Sequence, residues 1–530
     1  MKKIFYFGLF YAIFILNSCS EEFQTTTTSF TNAYEGKLLN RKIETDSIIL
    51  DNPYEISNMK ASLDRLKTLN PNMAYELKNF IIETSHLYIK FNPKTAEEEA
   101  LLKSDSTLYL FDYRLDCEYN EEFLKNRESS SNDSIPIYYT SIKKDRQLPN
   151  INFEIISELY IPEQDTFFND ILDIDKYLIT YQINNKTDLF NHLLFEAFVK
   201  TGNQDEMLEP ESTAENRWIF GRKWKPKGTI RIWDNCGADA LRTSMSISEY
   251  GNFIPLEGAK ILMRQWFTVD SGITNSNGYF ETGTVRGHAR YIIQWERYQY
   301  SIRTGNFGQA ELRGPNLKKE DWNKDINNGE ELFHGHIHRA AHHYYYKNIK
   351  NLRRPPQNGF WKPQMKIGAF FESDPNINGD YRCWARFMGI LPSIRIYNPN
   401  NTSCNIYGTT IHELAHASHS NMGGRDYRNT ERKVKESWAR GVQWDITNMI
   451  YNNSYYVYYN LPNYTLVVKD MIDSDNYTTG YDQVNGYTIK EIEDALQGKR
   501  NWNAWRDNIK NLYENETENN LDALFSYWNQ

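Results

Sequence analysis

Basic residues are not in excess in this chain. Its 60 Lys and Arg stand against 69 Asp and Glu, a formal net charge of −9, which gives no electrostatic basis for binding nucleic acid. Long apolar runs are missing as well. The clearest, residues 4–16 after Met1-Lys2-Lys3, has the length of a signal peptide and is too short for a membrane span. Cysteine is scarce, five in 530 residues, and none has the spacing of a thiolate metal site. Histidine is also sparse, and 8 of the 11 lie between residues 334 and 419. Aromatic side chains are plentiful, at 15% with 37 Tyr, which suits a protein with many sheet surfaces.

The sparse histidines include the run His412-Glu413-Leu414-Ala415-His416. On a helix, positions i and i+4 lie one above the other, so His412 and His416 can aim at one metal ion. Glu413 lies off that line, where its carboxylate reaches a water near the ion without being a ligand. Two histidines and one base form the layout of zinc hydrolases, with Glu413 as proton acceptor. Chance supplies on the order of one such match per fifty chains, so the surroundings matter. Ile411, Leu414, Ala415 and Ser418 give an inward flank, and Gly423 and Gly424 give a natural stop.

A catalytic zinc takes three protein ligands. Six residues beyond His416 stands Met422, and His419 lies further round the helix. Glu436, separated from His416 by 19 residues, falls in a second helical pattern over 429–450, with Val434, Trp438, Val442 and Ile446 as its apolar stripe and Asn429 or Thr430 as cap. It is the leading third ligand; Glu431 and Asp426 are its rivals.

These residues resemble the gluzincin branch of the zincin metallopeptidases. The likeness covers about 40 residues at motif level, and Glu436-Ser437-Trp438-Ala439 is similar to the glutamate-helix signatures of aminopeptidases in that branch. It implies Zn2+ held by His412, His416 and Glu436, Glu413 as general base, and a protein or peptide substrate. The chain departs from the thermolysin-like pattern where an Asp one turn after the ligand Glu orients a zinc histidine, because Arg440 stands there. The oxyanion-stabilising group is open among Tyr427, Tyr451 and Tyr477.

Leu16-Asn17-Ser18-Cys19 resembles a bacterial lipobox, and the following Ser20-Glu21-Glu22 resembles the surface-export signal of Bacteroidetes lipoproteins. The likeness implies lipidation of Cys19 and anchorage to the outer membrane, outside the cytoplasm. Of the other cysteines, Cys383 with Cys404 is the leading disulfide in such a compartment.

The expected organisation is a multidomain α+β chain. Residues 1–18 are the signal peptide and 19–50 a Thr- and Ser-rich tether. Residues 51–215 form a mixed α/β region, a pro-segment or accessory domain, with a strand at 86–91, a helix at 96–103 and a strand at 106–111. Residues 216–315 form a β-sandwich. There Pro255 to Ile261 and the turn Asn275-Ser276-Asn277-Gly278 before Tyr279 resemble the carboxypeptidase-regulatory, transthyretin-like family. Residues 316–530 form a zincin-like mixed α/β peptidase domain, with a helix at 330–347 and strands at 366–371 and 393–397. His334, His336, His338, His342 and His343 crowd the first of these. With no carboxylate or Cys among them, they fit interior or surface positions beside tyrosines better than a second metal site. The alternative to a peptidase is a non-catalytic surface protein binding glycan or protein.

Replacing Cys19 by Ala is expected to abolish metabolic labelling with a fatty-acid analogue. Labelling that persists in this variant removes the lipoprotein reading.

Overall fold

The computed structural model describes residues 43–44, 47–69, 80–119, 135–162, 186–204, 224–236, 251–285, 287–359, 363–374, 377–389, 391–451, 462–474 and 481–530. The chain has α+β architecture, with several separate sheets and many helices. Cys19, its flanking signal and Tyr477 lie outside the described residues.

In the N-terminal region the alternating strand His86–Phe91 forms the centre of a three-stranded antiparallel sheet, between Tyr138–Lys143 and Phe153–Leu159. The helix Ala96–Ser104 follows, its Thr95 side chain accepting the Glu98 amide, as N-capping requires. The strand expected at 106–111 does not form. Asp105 turns the chain by accepting the Thr107 amide at 3.0 Å, and only Phe111 pairs, as an isolated bridge to Tyr139. A side chain that captures a nearby amide competes with the ladder. Regular structure also begins earlier than expected, with Ile43–Glu44 and Ser47–Ile49 joining Cys117–Tyr119 in a small sheet.

The central region forms two sheets of four strands. One has the order Thr268–Ile273, Lys260–Gln265, Ala289–Gln294, Glu311–Leu317. The other places Lys227–Asp234 between Tyr279–Glu281 and Trp322–Ile326, with Asn252–Pro255 also paired to it. Their facing aromatics meet, Tyr291 lying 6.0 Å from Phe280 and 5.3 Å from Trp322. The turn at 275–278 is built by Asn275, whose side chain accepts the amides of Asn277 and Tyr279. Gly278 has φ +73°, and a Cβ there would meet the Ile230 carbonyl oxygen at 2.4 Å. Only glycine fits both demands.

A third sheet carries the functional region. Its order is Gly308–Gln309, Tyr300–Thr304, Met365–Ala369, Ile394–Ile396, Gly379–Tyr381. The middle three strands are parallel and the edge strands antiparallel. The strands at 300–309 thus leave the expected sandwich for this sheet. One apolar core runs from Ile230 to Phe525, joining the central sheets to the helical region. A second joins Leu63, Leu193 and Phe198 of the N-terminal helices to Leu262, Trp266 and Phe267.

The helix Gly329–Tyr346 packs in the first of these cores, with His334, His336, His338 and His342 buried and His343 half-buried. His336 bonds the Trp233 carbonyl, His338 the Glu257 carbonyl and the Tyr300 hydroxyl, and His343 the Tyr407 hydroxyl. Burial pushes His334 down to about 3 and His336 to about 4. These are neutral interior groups. The expected Cys383–Cys404 pairing is also corrected: Cys404 is bonded to Cys236, and Cys383 is a free thiol. The reason is local. Asn235 Oδ1 accepts the Ser403 amide at 2.7 Å, which brings the end of strand Lys227–Asp234 against the first turn containing Cys404.

A buried ionic cluster joins the N-terminal region to the third sheet. Glu99 accepts Tyr138 Oη at 2.5 Å, Arg303 at 3.4 Å, and Lys366 Nζ. Burial alone would raise the Glu99 carboxyl, but Lys366, Arg303 and Lys103 more than offset this and hold it well below the usual carboxylate range. Glu99→Ala would leave those cations buried without their partner, and a loss of about 3–5 kcal/mol in unfolding free energy at neutral pH is expected. The folded carboxyl titrates below its unfolded value of about 4.3, so its contribution is complete above that pH and fades below it. Denaturant titrations of parent and variant should therefore converge in acid; a constant gap assigns the loss to packing instead.

Candidate metal centre

Two antiparallel helices build the site. The first, Ser403–Gly423, is buried along most of its length, with Ile406, Tyr407, Ile411, Leu414 and Ala415 in the core. Gly424, at φ 54°, ends it as expected. A tight turn, Gly424–Asn429, reverses the chain into the second helix, Arg432–Ile450. Its buried stripe is Val434, Trp438, Val442 and Ile446. The cap differs from expectation, because Glu431 occupies that position and makes no capping bond.

Packing the stripes together brings His412, His416 and Glu436 to one point. His416 Nε2 lies 3.1 Å from His412 Nε2 and 3.1 Å from Glu436 Oε2, and His412 Nε2 lies 3.3 Å from the same oxygen. Among the described residues no other group of three His, Cys, Asp or Glu is gathered closely enough to hold a metal. Ligands about 2.0–2.1 Å from a tetrahedral ion sit about 3.3–3.4 Å from each other, close to the separations found. His412 Nδ1 donates to Gln443 Oε1 at 3.1 Å, which leaves its Nε2 as a bare lone pair. His416 Nδ1 meets the Tyr427 hydroxyl at 3.3 Å. These contacts orient both rings with Nε2 inward, as metal-binding imidazoles need.

The electrostatics favour a neutral His412 facing an ionised carboxylate. Burial first, then His416 and Arg440, push His412 down to about 4, against the opposing pull of Glu436. Burial works against ionising Glu436, but His416 and His412 outweigh it and hold that carboxyl well below its ordinary range. Glu413 is buried outside the ligand set. Desolvation, with Glu436 and Asp380 adding, raises its carboxyl well above the ordinary value.

The rivals are occupied elsewhere. Glu431 accepts the Trp502 amide at 2.9 Å, and Asp426 pairs with Arg500. His419 packs edge-on against Tyr427 at 5.0 Å, kept neutral by burial at about 3. Of the tyrosines expected near the reaction, Tyr427 touches His416, whereas Tyr451 accepts from Arg339 at 2.7 Å.

Sequence reasoning missed three residues. Gln443 takes the orienting task that Arg440 cannot perform, two turns after Glu436 on the same helix face; that seven-residue spacing was the available signal. Tyr464 stacks on His412 at 6.0 Å, and the Arg440 guanidinium lies 5.2 Å over its ring. Gly379 lets the edge strand approach Glu413, since a Cβ there would fall 2.7 Å from Glu413 Oε1. Strand, ligands and Glu413 line one open cleft of about 1250 Å³. No protein-family model, curated protein or solved structure matches the chain, so the chemistry of this cleft rests on its own residues.

Gln443→Ala is expected to weaken metal binding about 10–100-fold while the fold is kept. Competition against a chelator of known affinity measures this; unchanged affinity removes Gln443 from the orienting role.

Proposed function

We propose that this chain is a zinc-dependent metallopeptidase, lipid-anchored outside the cytoplasm. The observation that carries the reading is three ligand atoms 3.1–3.3 Å apart beside a buried carboxylate that is not one of them. Two imidazole nitrogens and one carboxylate oxygen suit zinc, and the open cleft leaves room for water and substrate.

A zinc ion held by His412, His416 and Glu436 would serve as a Lewis acid, bringing a neighbouring water toward neutral pKa and polarising a peptide carbonyl. Glu413 accepts one proton of that water at its carboxylate. The water oxygen bonds to the carbonyl carbon, the C–N bond breaks, and Glu413 returns the proton to the departing nitrogen. Gln443 and Tyr427 hold the two rings in register throughout. Gly379–Tyr381 is the last strand of its sheet and lines the cleft, a position from which it can pair with an extended substrate backbone.

Glu413→Gln keeps size and hydrogen bonding but cannot accept the proton. The variant should retain about one zinc per chain while cleavage of unstructured protein falls by orders of magnitude. His412→Ala should lose zinc and cleavage together, and Glu436→Ala should lose far more metal than Glu431→Ala. Equal cleavage by zinc-loaded parent and Glu413→Gln would overturn the base assignment. No cleavage by a fully zinc-loaded parent would favour a surface binding protein.

A further inference from the structure

The two ends of the cleft differ in chemistry. Toward the start of the histidine helix it is lined by amides, Asn378, Asn401 and Asn405. Beyond that helix's other end it is lined by Arg428, Arg432 and Lys435. In a chain with more acids than bases, this concentration of cations departs from the general surface.

Of these three cations only Arg432 has a carboxylate partner among the described residues. Arg428 is exposed and has no ionic, hydrogen-bond or ring partner among the described residues. Lys435 lies 5.2 Å over the Tyr427 ring and has no carboxylate partner among them. Arg432, 67% exposed, forms an ion pair among the described residues only with Glu436, at 3.8 Å, and that carboxylate belongs to the ligand set. Asp426 and Glu431 are interleaved with these cations in sequence, yet Arg500 and the Trp502 amide engage them, and neither lines the cleft. Asp426 and Glu431 are withdrawn while Arg428, Arg432 and Lys435 face the cavity; the carboxylates that do line it are Asp380 (paired with Arg382), Glu413 and the ligand Glu436. The 19-residue glutamate helix begins at this wall, so the positive end of its dipole adds to the same field.

We propose that this basic wall selects polypeptides carrying acidic side chains, Asp or Glu, beside the bond that sits at Glu413. The selection of a bond rests on the metallopeptidase reading; the preference in binding does not. An exposed cation and a substrate carboxylate gain modestly each, but two or three acting together at one cleft mouth discriminate by about tenfold, and salt weakens the effect.

The test is fluorescence anisotropy with an aspartate-rich labelled peptide and the same peptide with asparagine at those positions. It is run on full-length zinc-loaded protein and again after chelation, so that carboxylate held by an ion is separated from carboxylate held by the wall. The aspartate peptide should bind about tenfold tighter in both states. Arg428→Glu should close most of that gap and Lys435→Gln part of it. Lys60→Glu, a similar charge change on an exposed position of the helix Ile56–Leu69, should leave the gap intact. Equal affinity for the two peptides overturns the inference whether or not the protein cleaves. So does a preference that vanishes on chelation, or one that Lys60→Glu reduces as much as Arg428→Glu. A preference that survives these controls while zinc-loaded protein cleaves nothing upholds the basic wall and removes the hydrolase reading alone.

Discussion

Two imidazole nitrogens and a carboxylate oxygen held 3.1–3.3 Å apart must share a proton or a cation, because bare lone pairs at that distance repel one another. That constraint organises the molecule around it. Gln443 accepts the Nδ1 proton of His412 and Tyr427 faces Nδ1 of His416, so both rings turn Nε2 inward and that of His412 presents a lone pair. The cost of gathering such groups is met by the packing of two helices whose apolar stripes interlock behind them. A donor set of this kind, preorganised on helices rather than loops, favours metal binding because little is left to order when the ion arrives.

The scaffold carries the same logic outward. The histidine helix is tied at its first turn to the central sheet by the Cys236–Cys404 disulfide and by Asn235. Along its side lies a helix of histidines, of which His336 and His338 bond carbonyls of the central region and His343 bonds the Tyr407 hydroxyl of the metal-site helix itself. Further out, Glu99 of the N-terminal region sits against Lys366 on the strand Met365–Ala369, and Lys366 also donates to the Gly389 carbonyl at 2.6 Å. Gly389 closes the short helix Cys383–Met388, whose first residues line the cleft. Without the N-terminal region the buried cations would lose their carboxylate, and Leu262, Trp266 and Phe267 would lose their apolar cover.

Much of this was legible in the chain. The strand at 86–91, the helix at 96–103 and the helix at 330–347 were found within a residue or two, because each has strong periodicity and clear stops. The strand at 106–111 failed because Asp105 offered the backbone a nearer partner than the ladder. The sheet exchange at 300–309 was invisible, since alternation marks a strand without naming its neighbour. Cysteine pairing failed for a related reason: Cys404 and Cys383 are close in sequence, but the chain between them forms a strand and a helix start that carry Cys404 toward Asn235.

The spacing of His412, Glu413 and His416 is local and needs only helix geometry, so the sequence by itself determined which side chains share one face and which stands off it. It also marked Glu436 as a candidate on a second helix. Tertiary structure alone decided how those helices cross, and with that the convergence of Glu436 rather than Glu431, the use of Gln443 in place of an Asp, and the fit of Gly379 against Glu413. It also decided which charges face the cleft, since Asp426 and Glu431 turn away while Arg428 and Lys435 remain. Periodicity is a property of one element; convergence depends on the relative placement of two, which the packing of the whole core sets.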